Sequence, residues 1–370
     1  MTDFLSIVNE QEKVKKILES IHNSRRVPHA FLFYGPEGVG KFFTSLQFAK
    51  LLYSDYGNGS NETILSKISQ LQEPYIKLIM PLPRGKGESS DDSSIEKLSK
   101  EQLDNLKEEI KNKIENPFYK ITIDKANTIK INSIRDIKKY LELSYSDLPY
   151  RFVIILESDL MNDQAQNALL KSLEEPPEGT VFFLITTDKD KLLSTVQSRC
   201  WPVHFEPLSN NAVKQILVNN FGIEEEIARK ASLFGNGSVL HALSLAEDEF
   251  QSTLESIISF LRYSIGKKYH SAYKELNQLL DDDSENLILV INLIKNWLSD
   301  VLKERNDFDS YFFEDYKDTF TKFNQRYSDS SVEKVYHSLD LLEEYYGRNL
   351  NLNVLILNLI FELSTLTSRN

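Results

Sequence analysis

Short, almost continuously apolar runs alternate with amphipathic stretches along the first 206 residues, and the alternation stops at Pro207. The runs at 30–34, 119–123, 152–156, 181–186 and 202–205 predict five strands, because strands covered on both faces lose the polar alternation of a half-exposed strand. The stretches between them predict the helical crossovers that a parallel sheet requires. One connection is oversized. Residues 53–117 are rich in Ser, Asn, Asp, Glu and Lys and read as a polar insertion. Within it Leu98, Leu103, Leu106, Ile110 and Ile114 recur near helical spacing and predict one amphipathic helix. Residues 84–92 read as a mobile, solvated loop whose composition cannot offset the entropy of ordering.

Past Pro207 only helical periodicity remains. Ser209 predicts an N-cap for a helix carrying Val213, Ile216 and Leu217, and the Gly235-Asn236-Gly237 turn leads to the end of a small helical unit near residue 248. From Leu254 the pattern is helical to the end, through 287–302 and 350–363. The expected domains are therefore 1–206, an α/β domain with the insertion 53–117; 207–248, a small helical domain; and 249–370, an all-helical domain. Leu287, Val290, Leu293, Ile294, Trp297 and Leu298 offer more apolar positions than one core-facing stripe uses. They predict a second buried face, available for an oligomer contact.

Composition narrows the class. With 370 residues, 41% hydrophobic and 26% charged, the chain is that of an ordered multidomain protein and not of a disordered one. A formal charge of −12 argues against wrapping nucleic acid over the whole surface and for protein partners. Cys200 is the only cysteine, so no intramolecular disulfide or thiolate zinc cluster can form, and a reducing, cytoplasmic setting fits. Met1–Glu10 lacks the pattern of a secretory leader, and the most apolar run, 354–361, is interrupted by Asn358 and reads as a packed helix, not a membrane span.

The chemistry-bearing segment is Gly35-Pro36-Glu37-Gly38-Val39-Gly40-Lys41-Phe42, between an apolar strand and a helix. This is the arrangement of a P-loop, in which backbone N–H groups cradle phosphate and Lys41 reaches it. The last position should carry the hydroxyl that binds magnesium, and here it is Phe42. Thr44 cannot replace it, since two residues along a helix turn a side chain by about 200°. The second half of such a site should be a strand ending in a carboxylate. In Leu156-Glu157-Ser158-Asp159 the metal-holding position is Leu156, with Glu157 and Asp159 beyond it. Two separated segments have lost the same role, so this is a degenerate P-loop paired with a degenerate second motif.

Three more stretches follow in order: Val27-Pro28-His29-Ala30-Phe31-Leu32-Phe33, then Asn167-Ala168-Leu169-Leu170-Lys171-Ser172-Leu173-Glu174-Glu175-Pro176-Pro177, then Ser198-Arg199-Cys200. With them, across about the first 245 residues, the chain resembles the clamp-loader branch of the AAA+ ATPases. Within that branch it looks like the delta-prime subunits of bacterial DNA polymerase III. The resemblance implies an α/β AAA+ P-loop domain with a parallel five-stranded sheet, then a small helical lid domain and an all-helical C-terminal collar domain.

The resemblance further implies a non-hydrolysing subunit that helps load the sliding clamp on primer-template DNA in replication. Its partners would be the clamp-loader ATPase subunits and the delta subunit in a hetero-pentameric ring, with no membrane. The alternative reading is an active AAA+ motor subunit. Ser198 and Arg199 correspond to an arginine finger acting in trans; a permanently charged guanidinium suits charge that develops on a transferred phosphoryl group. Thr186 or Thr187 stands where a sensor residue would be. A second sensor arginine is missing from Gly235-Asn236-Gly237-Ser238-Val239-Leu240. No cofactor is expected to be required: ATP or ADP would bind weakly without magnesium. The zinc module of many relatives is replaced by the cysteine-free insertion.

Overall fold

The computed structural model describes residues 11–54, 61–89, 91–143, 148–247, 250–280, 286–346 and 351–367, so Met1–Glu10 lies outside them. The chain divides into two compact units, Met1–Ala212 with Gly237–Leu240, and Val213–Asn236 with His241–Asn370.

The first unit runs α1 (Glu12–Ser24), β1 (Ala30–Tyr34), α2 (Lys41–Ser54), α3 (Asn61–Ser69), β2 (Ile76–Ile79), α4 (Lys100–Glu115), α5 (Ile131–Glu142), β3 (Arg151–Ile155), α6 (Asp163–Glu174), β4 (Thr180–Thr186), α7 (Ser194–Gln197) and β5 (Trp201–His204). The strands form one parallel sheet in the order β2-β3-β4-β1-β5, with Phe31 opposite Phe183 and Trp201. Alternate residues enter two cores. Phe31, Phe33, Phe152, Ile154 and Phe183 pack against Val14 and Leu18 of α1 and Phe48 and Leu52 of α2. Leu32, Val153, Ile155, Phe182 and Leu184 meet Ile134 and Ile137 of α5 and Leu169 and Leu173 of α6 on the other face. Each such side chain contributes about 1.5–3 kcal/mol on burial. The nearly continuous apolar runs of β1, β3 and β4 are thus explained by two covered faces, whereas the edge strand β5 leaves Trp201, Pro202 and His204 exposed.

Five parallel strands are present as the sequence predicts, but the second is elsewhere. It is the edge strand Ile76–Ile79, inside the expected insertion, where Lys77 breaks the apolar run. Residues 119–123, expected as a strand, join no sheet, because α4 takes over their hydrogen bonds. Glu109 accepts the Thr122 N–H (2.7 Å) and the Tyr119 hydroxyl (2.9 Å), and Lys113 Nζ donates to the Tyr119 carbonyl. The predicted helix is α4, opened by a capping box of Ser99 and Gln102.

The loop at 84–92 is also not the free excursion its composition suggests. The buried Glu88 carboxylate accepts from Lys130 Nζ (2.7 Å), Asn132 Nδ2 (3.0 Å) and the Gly85 N–H (2.7 Å), tying the loop to the start of α5. Polar contacts rather than apolar burial hold its described residues, since Asn132 also donates to the Ser89 carbonyl (2.8 Å) and Arg135 to Asp91 (3.0 Å).

From residue 210 the chain is helical: α8 (Asn210–Phe221), α9 (Glu225–Phe234), α10 (Val239–Glu247), α11 (Phe250–Ile265), α12 (Tyr269–Leu280), α13 (Asn286–Arg305), α14 (Lys317–Arg326), α15 (Val332–Tyr346) and α16 (Leu352–Thr365). Ser209 Oγ accepts the Ala212 N–H at 3.2 Å, the expected cap. In the second unit α13 is the central helix, packed by α11, α14 and α15. Leu287, Val290, Leu293, Ile294, Trp297 and Leu298 are all buried within the chain. The surplus of apolar positions on this helix therefore reflects a thick core and is not an open oligomer face. Exposed apolar residues of this unit include Val354, Leu357 and Phe361, spaced along α16. No described helix is long and apolar enough to cross a membrane.

Candidate nucleotide site and the Arg199 corner

The loop after β1 turns through three glycines into the N-terminus of α2. Gly38 is in the left-handed region (φ +70°), and a Cβ there would stand 2.1 Å from Ser238 Oγ. Its carbonyl accepts the Val239 N–H at 2.9 Å. Ser238 and Val239 thus brace the glycine loop.

Lys41 is buried, and its Nζ donates to the carbonyls of Gly35 (2.6 Å) and Pro36. Burial draws its pKa down to about 8, opposed by the charges of Glu37 and Asp159. Below the loop lies a cavity of about 110 Å³ whose lining includes Gly38, Gly40, Lys41, Phe42, Leu156 and Glu157. Phe42 and Leu156, separated by more than a hundred residues, therefore meet in one space. Glu157 is in the left-handed region (φ 48°) just beyond β3. Asp159 Oδ1 accepts from Thr186 Oγ1 at 2.6 Å, and Thr186 in turn accepts the Asp188 N–H at 2.9 Å. Thr186 and Thr187 both line the cavity, but only Thr186 is buried.

Glu37, Glu157, Thr186 and Thr187 bring oxygen atoms to the cavity lining, but the two positions expected to hold a magnesium ion do not. The two positions that should supply or organise oxygen ligands present hydrocarbon, and the cavity has a second ammonium instead. Lys113 of α4 lines it, with Nζ 4.8 Å from the centre of the Phe42 ring. Burial brings the Lys113 pKa to about 8, against the opposing pull of Glu37 and Glu157. Phe118 stacks on Phe43 at 6.2 Å and Lys120 faces Glu37 at 3.7 Å, so the segment after α4 closes over the loop.

Ser198 and Arg199 follow α7 and are not part of the cavity lining. Ser198 is exposed, and Arg199, whose side chain is 32% exposed, pairs with Glu174 at the end of α6 and donates to the Thr195 carbonyl at 2.8 Å. Next to it Cys200 is buried, which pushes its thiol up to about 12 and suits packing rather than reactivity. Trp201 opens the edge strand β5 and is half exposed.

A sequence model described as DNA polymerase III, delta subunit, matches residues 10–209, more than half of the chain. The chain belongs to this clamp-loader family. Among relatives it is 27% identical to the DNA polymerase III subunit delta' of Bacillus subtilis over 267 residues, 71% of this chain and 68% of that protein. It is also 27% identical to the tau subunit of Bacillus subtilis over 242 residues, 64% of this chain. The chain spans 36% of that tau subunit and 50% of a Buchnera aphidicola gamma subunit. A solved gamma subunit-related protein from Thermotoga maritima aligns over 94% of this chain and 98% of its own, at 18% identity and a TM-score of 0.39.

The parallel five-stranded sheet and the helical remainder agree with the architecture expected from the sequence. What sequence reading missed in this family member is Lys113. The signal was present: Leu106, Ile110 and Lys113 fall at i, i+4 and i+7, which places a lysine in the core-facing stripe of α4.

Proposed function

We propose that this chain is a delta-prime-type clamp-loader subunit that does not hydrolyse ATP and presents Arg199 to a neighbouring ATPase. The observation that carries the reading is that Phe42 and Leu156 line one cavity beside Lys41. Without a hydroxyl and a carboxylate there, magnesium cannot bridge the phosphates, and an in-line transfer loses both positioning and charge neutralisation. The likeness to the delta' subunit of Bacillus subtilis supports the choice of subunit type. The partners would be ATPase subunits and a delta subunit in a hetero-pentameric ring, with the sliding clamp and primer-template DNA reached through that complex. Arg199 lies outside its own cavity and is one-third exposed, which suits action on another subunit. The exposed apolar row on α16 is the face that would serve assembly.

Relatives named tau and gamma match at similar identity, which keeps the active motor as the second reading. Steady-state ATP hydrolysis by the purified chain separates the two. No turnover is expected. Magnesium-dependent turnover that disappears in Lys41→Ala would establish the motor instead.

A further inference from the structure

A non-hydrolysing P-loop leaves one buried charge unexplained. Lys113 is 8% exposed, comes from α4 and not from the P-loop, and shares a cavity with Lys41. Its ammonium stands over the very ring that replaces the magnesium ligand. Burying one ammonium is costly, and two in the same cavity repel. Burial is the main reason both lysines sit at about 8, and the charge of Lys41 is part of the lowering at Lys113. The Tyr119 carbonyl, the Phe42 ring and the carboxylates of Glu37 and Glu157 offset part of this cost. Such a pair gains most from an anion. Both ammonium groups line this one space, so a phosphate chain, with several charged oxygens in a row, is the anion that can reach both.

We propose that Lys113 stands in for magnesium, so that Lys113 and Lys41 together hold a metal-free diphosphate chain, whether of a nucleotide or of free pyrophosphate. The proposal rests on the non-hydrolysing reading above. An ammonium supplies three N–H donors and a positive charge, so it neutralises and fixes phosphate oxygens as the ion would. It is not a Lewis acid and does not align a nucleophile, so binding is kept while turnover is not. On binding, Lys113 Nζ exchanges the Tyr119 carbonyl for a phosphate oxygen, and no covalent bond is made or broken. The hydrocarbon at Phe42 and Leu156 then has a purpose: Phe42 offers its ring face to the ammonium, and neither residue draws a competing cation.

The test is calorimetric titration of the full chain with ATP, ADP and sodium pyrophosphate, each with EDTA and with excess magnesium. Binding in EDTA should be at least as tight as with magnesium. Lys113→Met should weaken it by about tenfold or more, and Lys113→Arg should restore most of the loss. Pyrophosphate binding as tightly as ATP would identify a free diphosphate, and ATP or ADP binding more tightly would identify a nucleotide. Binding that requires magnesium, no binding of any of the three, or full affinity in Lys113→Met would overturn the proposal. The wild-type comparison between EDTA and magnesium decides even if the Met variant fails to fold. ATP turnover, followed in the same samples, tests the underlying reading separately: magnesium-dependent binding without turnover removes only the role of Lys113, whereas turnover removes both.

Discussion

The cavity under the P-loop and the corner at Arg199 both set cationic side chains beside carboxylates, yet their environments make them opposites. Lys41 and Lys113 are buried, and desolvation lowers both to about 8. Arg199 pairs with Glu174 where water reaches both partners. A surface ion pair of that kind contributes about 0–1 kcal/mol, so it can be exchanged for another partner at little cost. Buried ammonium groups have no such freedom; their cost is met inside the cavity or by a ligand. The difference separates a charge that can serve a neighbour from charges that serve their own chain.

The largest effect expected from this contrast is in trans. In a reconstituted complex, Arg199→Ala should cut clamp- and DNA-stimulated ATP hydrolysis, by about 10³ where a site depends wholly on one finger and by less where other subunits contribute. Stability should change by less than about 0.5 kcal/mol. Arg199→Lys keeps the charge but loses the planar fork, so it should restore little. Hydrolysis unchanged in Arg199→Ala, with assembly intact, would erase the distinction between the two regions.

The next test compares two carboxylates. Glu109 is buried and holds the Thr122 N–H and the Tyr119 hydroxyl beside the cavity. Glu109→Ala strands those donors and should cost about 1–3 kcal/mol in urea unfolding. Glu174→Ala breaks only the exposed pair and should cost at most about 1 kcal/mol. Equal losses would mean that burial is not what separates the regions.

The smallest effect is the pH dependence of stability. Lys41 and Lys113 titrate near 8 when folded and near 10.5 when exposed. Between those values the unfolded chain holds protons that the folded chain has released, so these groups make folding more favourable as pH rises from about 8 to 10.5. Relative to Lys113→Met, the wild type should gain on the order of 1 kcal/mol between pH 7.5 and 9.5. Arg199→Ala removes no group that titrates in this range and should track the wild type.

Much of this molecule could be read before its structure was known. The apolar strands, the glycine loop with Lys41, the amphipathic α4 and the helical second half follow from local rules: strand composition, turn chemistry and periodicity act over a few residues. The loss of oxygen at positions 42 and 156 was equally legible, since it is a matter of residue type. What the chain by itself did not reveal depends on who satisfies a backbone group. Residues 119–123 have the apolar character of a strand, but Glu109 and Lys113 claim their polar groups, and the short run 76–79 takes the sheet edge instead. Glu88, with donors from 85, 130 and 132, and Arg135 on Asp91 hold a loop whose composition suggested solvent. The apolar surplus of α13 was visible, whereas its burial by α11, α14 and α15 was not. Lys113 is the sharpest case: helical spacing put it on the inward face of α4, but only tertiary packing could bring its charge over Phe42, because electrostatic meaning depends on the distance and desolvation that packing sets.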